Sequence, residues 1–434
     1  MPVIVSSGRN CSRVTDFRDR DVSYGCNCGV PAPLAGSSPG LHRYDARTCC
    51  PERVAELSVE RRTRARGRRP ATPTSPAHRS LVVTPAVVAH RGASGYRPEH
   101  TLDAYRLAIR MGVDDIELDL VATKDGVLVA RHEAELSVTT DVADHPELAD
   151  RRTRRRLDGV ERDGWFVEDF TLAELKRLAA RERHPELRPG SATYDRTAGI
   201  PTFNEVLAMV HAESVRAGRT VGVMAELKHA AHHDTLGLPM DRALLADLRR
   251  HGLDHPRSRV TVMSFEPTVL RRLARQTTIP LVQLLDDADR TPPDLRAAGD
   301  RTTYGDLCTA EGLATIDEYA DGIGPRSTLV LPRDADGACG DPSGLVRAAH
   351  RLWLTVHVWT LRLENRYLPT NLRGPGGPAD PGDLAAEARL LLGAGVDGLI
   401  TDHPDLLLDL LDERSPGVHR TPAPRTPVTT SLGA

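Results

Sequence analysis

Val87-Val88-Ala89-His90-Arg91-Gly92, followed by Pro98-Glu99-His100-Thr101, places an imidazole, a guanidinium and a carboxylate just past a short apolar run. The pattern returns further along. Glu117-Leu118-Asp119 ends a second run, Val127–Arg131 leads into His132, and Glu226-Leu227-Lys228 ends another. Residues at positions i and i+2 of a strand point to one side, so Glu117 and Asp119 share a face if Ile116, Leu118 and Leu120 take the other. Two carboxylates held together repel each other and resist desolvation unless a cation sits between them, which makes a hard divalent ion their natural partner. Glu226 is expected to complete a three-carboxylate set, with Glu99 as a possible fourth ligand.

The other residues fit the same chemistry. Hydrolysis of a phosphodiester needs cations for the charge that grows on the phosphoryl oxygens, together with a matched acid and base. His90 and His132 are the candidates for proton transfer, one protonating the leaving alkoxide and the other taking the proton of the nucleophile. Lys228 is singled out by composition: only three of the 57 Lys plus Arg residues are lysine, so its retention beside Glu226 points to a need for a compact ammonium. Arg91 is the candidate for bidentate binding of phosphate.

Such groups must be carried by elements that bring distant strand ends together. From Pro85 to about Glu413 the chain alternates short β-branched runs with longer helical patterns, as parallel strands joined by helices do. Strands are expected at 86–90, 115–120, 127–132, 221–227, 259–264, 280–285, 321–324, 354–359 and 396–401. Helical patterns lie at 101–111, 171–180, 203–216, 240–251, 267–275, 343–351, 384–393 and 404–412. That is a (β/α) barrel count with one strand too many. The connection Val121–Gly126 is too short for a crossover helix, so one βα unit is expected to be abbreviated. Residues 133 to about 200 read as an insertion on the active-site loop face. A doubly wound open sheet is disfavoured, because no Gly-x-Gly-x-x-Gly loop follows the first strand and the polar groups are scattered over many strand ends. The expected fold is therefore α/β, a (β/α)8 TIM barrel over residues 86–412.

Composition bounds the rest. Of the 434 residues, 40% are apolar, enough for a sizeable core, and no apolar stretch approaches the roughly 20 residues needed to span a bilayer. Residues 1–85 hold 14 Arg against 7 acidic residues while the whole chain carries −3, so the body is acidic and the leader basic. The Arg61–Arg69 run lacks interleaved aromatics, which argues for a disordered solvated leader rather than a nucleic-acid site. Five of seven cysteines lie in that leader without paired zinc spacing; Cys308 and Cys339 leave room for at most one disulfide in the body. The Pro- and Thr-rich residues 413–434 read as a disordered tail. No secretory signal opens the chain as written, so a cytoplasmic protein is expected, or a secreted one if translation starts elsewhere.

Over roughly residues 85–412 the chain resembles the glycerophosphodiester phosphodiesterase family, most closely its longer bacterial branch. The likeness rests on His90-Arg91-Gly92 with Pro98–Thr101, Glu117–Leu120 with Thr123–Gly126, His132, Glu226–Lys228, Ser264-Phe265, Val358-Trp359-Thr360 and Asp397–Asp405. The resemblance implies a TIM-barrel hydrolase releasing an alcohol and sn-glycerol 3-phosphate from substrates such as glycerophosphocholine. It implies His90 and His132 as the acid–base pair, Glu117, Asp119 and Glu226 as metal ligands, and Arg91 and Lys228 as the phosphate clamp. Calcium is favoured, with magnesium as the alternative. Trp359, near the mouth, is placed either against the glycerol or head group or in buried packing. Two residues depart from the family pattern: His100 stands where Asn is common, and Glu133 where Asp is usual. The longer Glu133 arm is expected to displace a hydrogen bond and reduce activity. The competing readings are a phospholipase D acting on lysophospholipid or sphingomyelin, and a barrel that binds without cleaving. The expected partner is a small glycerophosphodiester, with neither nucleic acid nor stable membrane insertion.

Overall fold

Eight parallel strands close on themselves in a computed structural model that describes residues 85–414, together with leader strands at 3–7, 11–15 and 23–26. They are β1 (Ala86–Ala89), β2 (Asp115–Ala122), β3 (Gly222–Leu227), β4 (Val260–Ser264), β5 (Leu281–Leu285), β6 (Gly322–Pro325), β7 (Thr355–Leu361) and β8 (Gly398–Thr401). Each pairs with its neighbours in chain order, and β8 returns to β1 through Gly398↔Ala86 to Thr401↔Ala89. The expected TIM barrel is the fold.

Strand alternation sorts two layers of core. Ile116, Leu118 and Leu120 join the large cluster between strands and helices. Val88, Met224, Met263, Val282, Leu284 and Ile400 form a smaller cluster inside the ring. Two residues beyond Val88 comes His90, and two beyond Met224 comes Glu226, so the same period carries both onto the inner side at the mouth.

The surplus strand has a simple origin. Leu128–Ala130 belongs not to the ring but to a hairpin, running antiparallel to β2 through Leu120↔Ala130 and Ala122↔Leu128. No βα unit is abbreviated. The connection that is too short for a crossover is the right length for a tight turn: Gly126 takes φ 75°, and Thr123 Oγ1 accepts from Val127 N–H at 3.0 Å. Hydrophobic period reports a strand but not its direction.

After that hairpin comes the insertion, residues 133–200, entered from the C-terminal end of β2. It has a core of its own that includes Leu136, Trp165, Phe166, Phe170 and Leu178. Its most regular part is a two-stranded hairpin, Thr153–Leu157 with Val160–Gly164. The helix expected at 171–180 is only Leu172–Leu175, opened by a Thr171/Glu174 capping box; Ala179 and Ala180 are drawn instead into bridges with Gly199 and Thr140. Among the barrel helices, Phe203–Ala217 begins at a Thr202/Glu205 capping box and stops at Gly218. Among the described residues no helix is long and apolar enough to cross a membrane.

In the leader, Val3–Ser7, Cys11–Thr15 and Ser23–Cys26 form an antiparallel sheet that the sequence pattern did not suggest. The other expectations for the leader, its cysteine side chains and Arg61–Arg69 included, and those for the tail beyond residue 414, lie outside the described residues. Cys308 and Cys339 are both free thiols, so the body has no disulfide between them.

Candidate active site

At the end of β1 the backbone turns sharply. Arg91 adopts φ 57°, which aims its N–H at Glu117 Oε2, 2.8 Å away. Gly92 follows at φ 85°, and a Cβ there would meet Ala104 and Tyr105 of the first helix within 2.8 Å, so this turn requires glycine. The turn thereby fixes His90 and Arg91 over the end of β2.

β2 and β3 pair so that Asp119 lies beside Glu226. With Glu117 they form a buried set in which one oxygen from each carboxylate lies within 4.8 Å of the others. Lys228 Nζ reaches Glu226 Oε1 at 2.8 Å and Asp119 Oδ1 at 3.4 Å. Despite that contact, Glu226 Oε1 lacks a partner in hydrogen-bonding geometry. Burial, with the charge of Asp119, pushes Glu117 well above the usual carboxylate range, and burial lifts Glu226 to about 8. Burial would raise Asp119 too, but Lys228 and Arg91 outweigh it and hold that carboxyl well below its ordinary value. Three acids in one pocket thus resist sharing full charge unless a cation joins them.

Glu99 does not join the set. Its two oxygens accept from Arg91 Nη1 at 3.1 Å each and from Arg183 at 2.7 and 2.8 Å. Those guanidiniums overcome burial and keep it strongly acidic, and its contacts hold Arg91 in place. Asp119 Oδ2 instead accepts from His100 Nε2 at 2.8 Å, and the other ring nitrogen of His100 meets the Tyr105 hydroxyl at 2.8 Å.

His90 and His132 are built alike. His90 Nδ1 lies 2.6 Å from Asp402 Oδ1, and His132 Nδ1 lies 2.6 Å from Glu133 Oε1. Each carboxylate is itself anchored by arginine: Asp402 by Arg188 at 2.6 Å and Arg362 at 2.8 Å, Glu133 by Arg183 at 2.7 Å to both oxygens. Both acids are held well below their ordinary values against the pull of burial, so each accepts a proton donated by Nδ1. That leaves Nε2 as the free ring nitrogen in each case. Burial, reinforced by Arg91, lowers His90 to about 4 and His132 to about 3, so the rings rest neutral. Glu133 reaches His132 and Arg183 together.

His90, His132 and Glu133 line one cavity of about 570 Å³ at the barrel mouth, with Arg91, Glu117, Glu226, Lys228 and Trp359. Trp359 combines packing with a position at the cavity. It is half-buried, donates Nε1–H to the Gly324 carbonyl at 2.7 Å, and packs edge-on against Phe265 at 5.4 Å while bordering the cavity. Sequence reasoning assigned no site role to Arg183, Arg188 or Arg362, or to Asp402 as the partner of His90. Asp402 carried the same signal as the residues that were found, a carboxylate directly after a strand. The insertion arginines carried none.

A model of the glycerophosphoryl diester phosphodiesterase family matches residues 90–406. A glycerophosphodiester phosphodiesterase of Arabidopsis thaliana is 32% identical over 344 residues, covering 76% of this chain and 87% of that protein. One from Haemophilus influenzae is 28% identical over 348 residues, covering 75% and 89%. The solved structure of a Silicibacter pomeroyi protein assigned as a glycerophosphoryl diester phosphodiesterase covers 77% of this chain and 95% of its own, with a TM-score of 0.55 and 23% identity. At that identity the structural likeness is one of fold.

Proposed function

Because the chain belongs to the glycerophosphoryl diester phosphodiesterase family, and so is a phosphoric diester hydrolase, we propose that it cleaves glycerophosphodiesters to an alcohol and sn-glycerol 3-phosphate by metal-assisted acid–base catalysis. Glu117, Asp119 and Glu226 would hold the ion. The donor set fits a hard dication: three carboxylates, buried, one with an oxygen that no hydrogen bond satisfies. When bound, such an ion supplies Lewis-acid stabilisation of charge on the phosphoryl oxygens.

The protein's own groups do the rest. Arg91 and Lys228 offer fixed cations to the phosphate. Nε2 of one imidazole takes a proton from water as its oxygen bonds to phosphorus. The other imidazole, protonated under the influence of the anionic substrate, delivers a proton to the alkoxide oxygen as the old P–O bond breaks. Solvent then restores both rings. Trp359 borders the space for the organic part of the substrate. The observation that carries this reading is the symmetry of the two His–carboxylate–Arg chains around a single three-acid cluster.

The test is release of glycerol 3-phosphate, measured by a coupled assay with calcium and magnesium supplied separately. Turnover should vanish on chelation and return best with calcium, and His90→Ala should lose about a hundredfold or more in kcat. Full activity in EDTA would remove the ion from the mechanism, and an unimpaired His90→Ala would remove the acid–base role.

A further inference from the structure

Resting on the phosphodiesterase reading above, we propose that the preferred substrates carry a second anionic group, a phosphate or carboxylate, on the alcohol esterified to glycerol phosphate. The reacting groups all come from one side of the ring: His90 and Arg91 follow β1, Glu117 and Asp119 lie on β2, and Glu226 and Lys228 end β3. In a closed ring of eight, β6 stands opposite β2. The loops after β5, β6 and β7 therefore form the facing wall of the cavity. That wall contributes Arg290, Arg326, Arg333, Arg362 and Arg366, against the single lining carboxylate of Asp286.

Some of this charge is already spent. Asp286 pairs with Arg290 and with Arg326, and Arg326 also reaches Asp287 at 2.7 Å. Arg362 is bound to Asp402. Arg333 and Arg366 are different: neither meets a carboxylate among the described residues. Arg333 Nη2 donates at 2.7 Å to the carbonyl of Tyr367, the residue after Arg366, so two guanidiniums without a salt bridge belong to one short stretch of the rim. Glycerol, with neutral hydroxyls, gives them nothing to neutralise. An anionic substituent does, and the planar fork of arginine suits carboxylate and phosphate alike.

A cationic head group would meet the reverse situation. Recognition of a quaternary ammonium needs open aromatic faces. Here Phe265 lies under Lys228 Nζ at 5.1 Å, Tyr367 lies under Arg362 at 4.6 Å, and Trp359 is turned edge-on to Phe265. The protein's own cations thus occupy two of these three rings, Phe265 and Tyr367.

The experiment compares kcat/KM for glycerophosphocholine, glycerophosphoglycerol, glycerophosphoserine and glycerophosphoinositol 4-phosphate in one calcium buffer. The phosphorylated inositol and the serine diester distinguish a phosphate from a carboxylate preference. Either should exceed glycerophosphocholine by about tenfold or more, with KM rising as salt screens the wall. Arg333→Gln/Arg366→Gln should lose that advantage while glycerophosphoglycerol turnover stays at the wild-type level, and Arg366→Lys should retain part of it. Equal rates on all four diesters, or a preference for choline, overturn the anionic-head-group inference and leave the phosphodiesterase reading intact. Turnover of none of them would sink that reading itself.

Discussion

Glu133 ties His132 to an arginine of the insertion. Its carboxylate takes Nδ1 of His132 and both guanidinium nitrogens of Arg183, so the ring is fixed by a charge that is itself fixed. Asp402 does the same for His90 through Arg188 and Arg362. Replacing Asp402 by Asn keeps the shape but no longer demands a proton from Nδ1, which frees the ring to present the wrong nitrogen to the cavity. Asp402→Asn is therefore expected to lower kcat about a hundredfold or more with little change in KM. It should also lower stability in a denaturant titration, by about 1–2 kcal/mol, because buried Arg188 is left with Glu364 as its remaining carboxylate partner. Wild-type kcat in that variant would show that the dyad merely fills space. The acids and imidazoles at strand ends were legible in the sequence because a strand imposes a period of two on its polar exceptions. Arg183 and Arg188 were not: 84 residues separate Arg183 from Glu99 and 214 separate Arg188 from Asp402, so no local spacing announces either pair.

Two elements beside the site are held by histidines. The turn of the 153–164 hairpin places Asp158, at φ 49°, against His229 Nδ1 at 2.6 Å, and Arg296 donates to the Asp158 carbonyl. Leu157, Asp158 and Val160 border the cavity, so this latch sets the position of one lip. Asp158→Asn preserves the left-handed backbone and removes the charge; amide exchange across 153–164 should then quicken about tenfold, with global unfolding nearly unchanged. Unaltered protection would mean that backbone pairing alone holds the hairpin. The second element is the short helix Ala230–Thr235, in which His233 is fully buried with neither ring nitrogen hydrogen-bonded. Burial lowers its pKa to about 4, below the unfolded value near 6.5. The unfolded chain therefore binds more protons between those values, and the contribution to stability is complete above pH 6.5 and lost as pH falls toward 4. Its full size is about 3 kcal/mol. Denaturant midpoints of wild type and His233→Leu should diverge across that window, and parallel curves would refute the assignment. Nothing in the sequence distinguished His233 from its neighbours His229 and His232, since burial is a property of the packed barrel. Strand direction was hidden in the same way, which is why Leu128–Ala130 was first counted into the ring.

At the scale of the whole molecule, the closed barrel was legible from where the polar residues stood. An open sheet brings ligands to one crevice, whereas polar residues scattered over many strand ends meet at one mouth only if the sheet closes. The insertion was legible as an interruption but not as a structure, because its core depends on Trp165, Phe166 and Phe170 meeting Val121 and Val129 across the chain. Closure also concentrates cost. It drives Glu117, Asp119 and Glu226 into one buried space, where the first and last are pushed toward protonation and the assembly relies on Lys228 and Arg91 for balance. An ion that binds only the folded cluster must therefore stabilise the entire barrel. At calcium concentrations a hundredfold above Kd the gain is about 2.7 kcal/mol, which for a domain of this size raises Tm by a few degrees. Glu226→Gln should abolish that rise, and because it replaces a carboxyl already pushed toward protonation, it should unfold close to the Tm of the metal-free wild type. A Tm indifferent to calcium and magnesium in the wild type, in samples that hydrolyse the substrate, would show that the three acids hold no stabilising ion and that Lys228 is their permanent counter-charge.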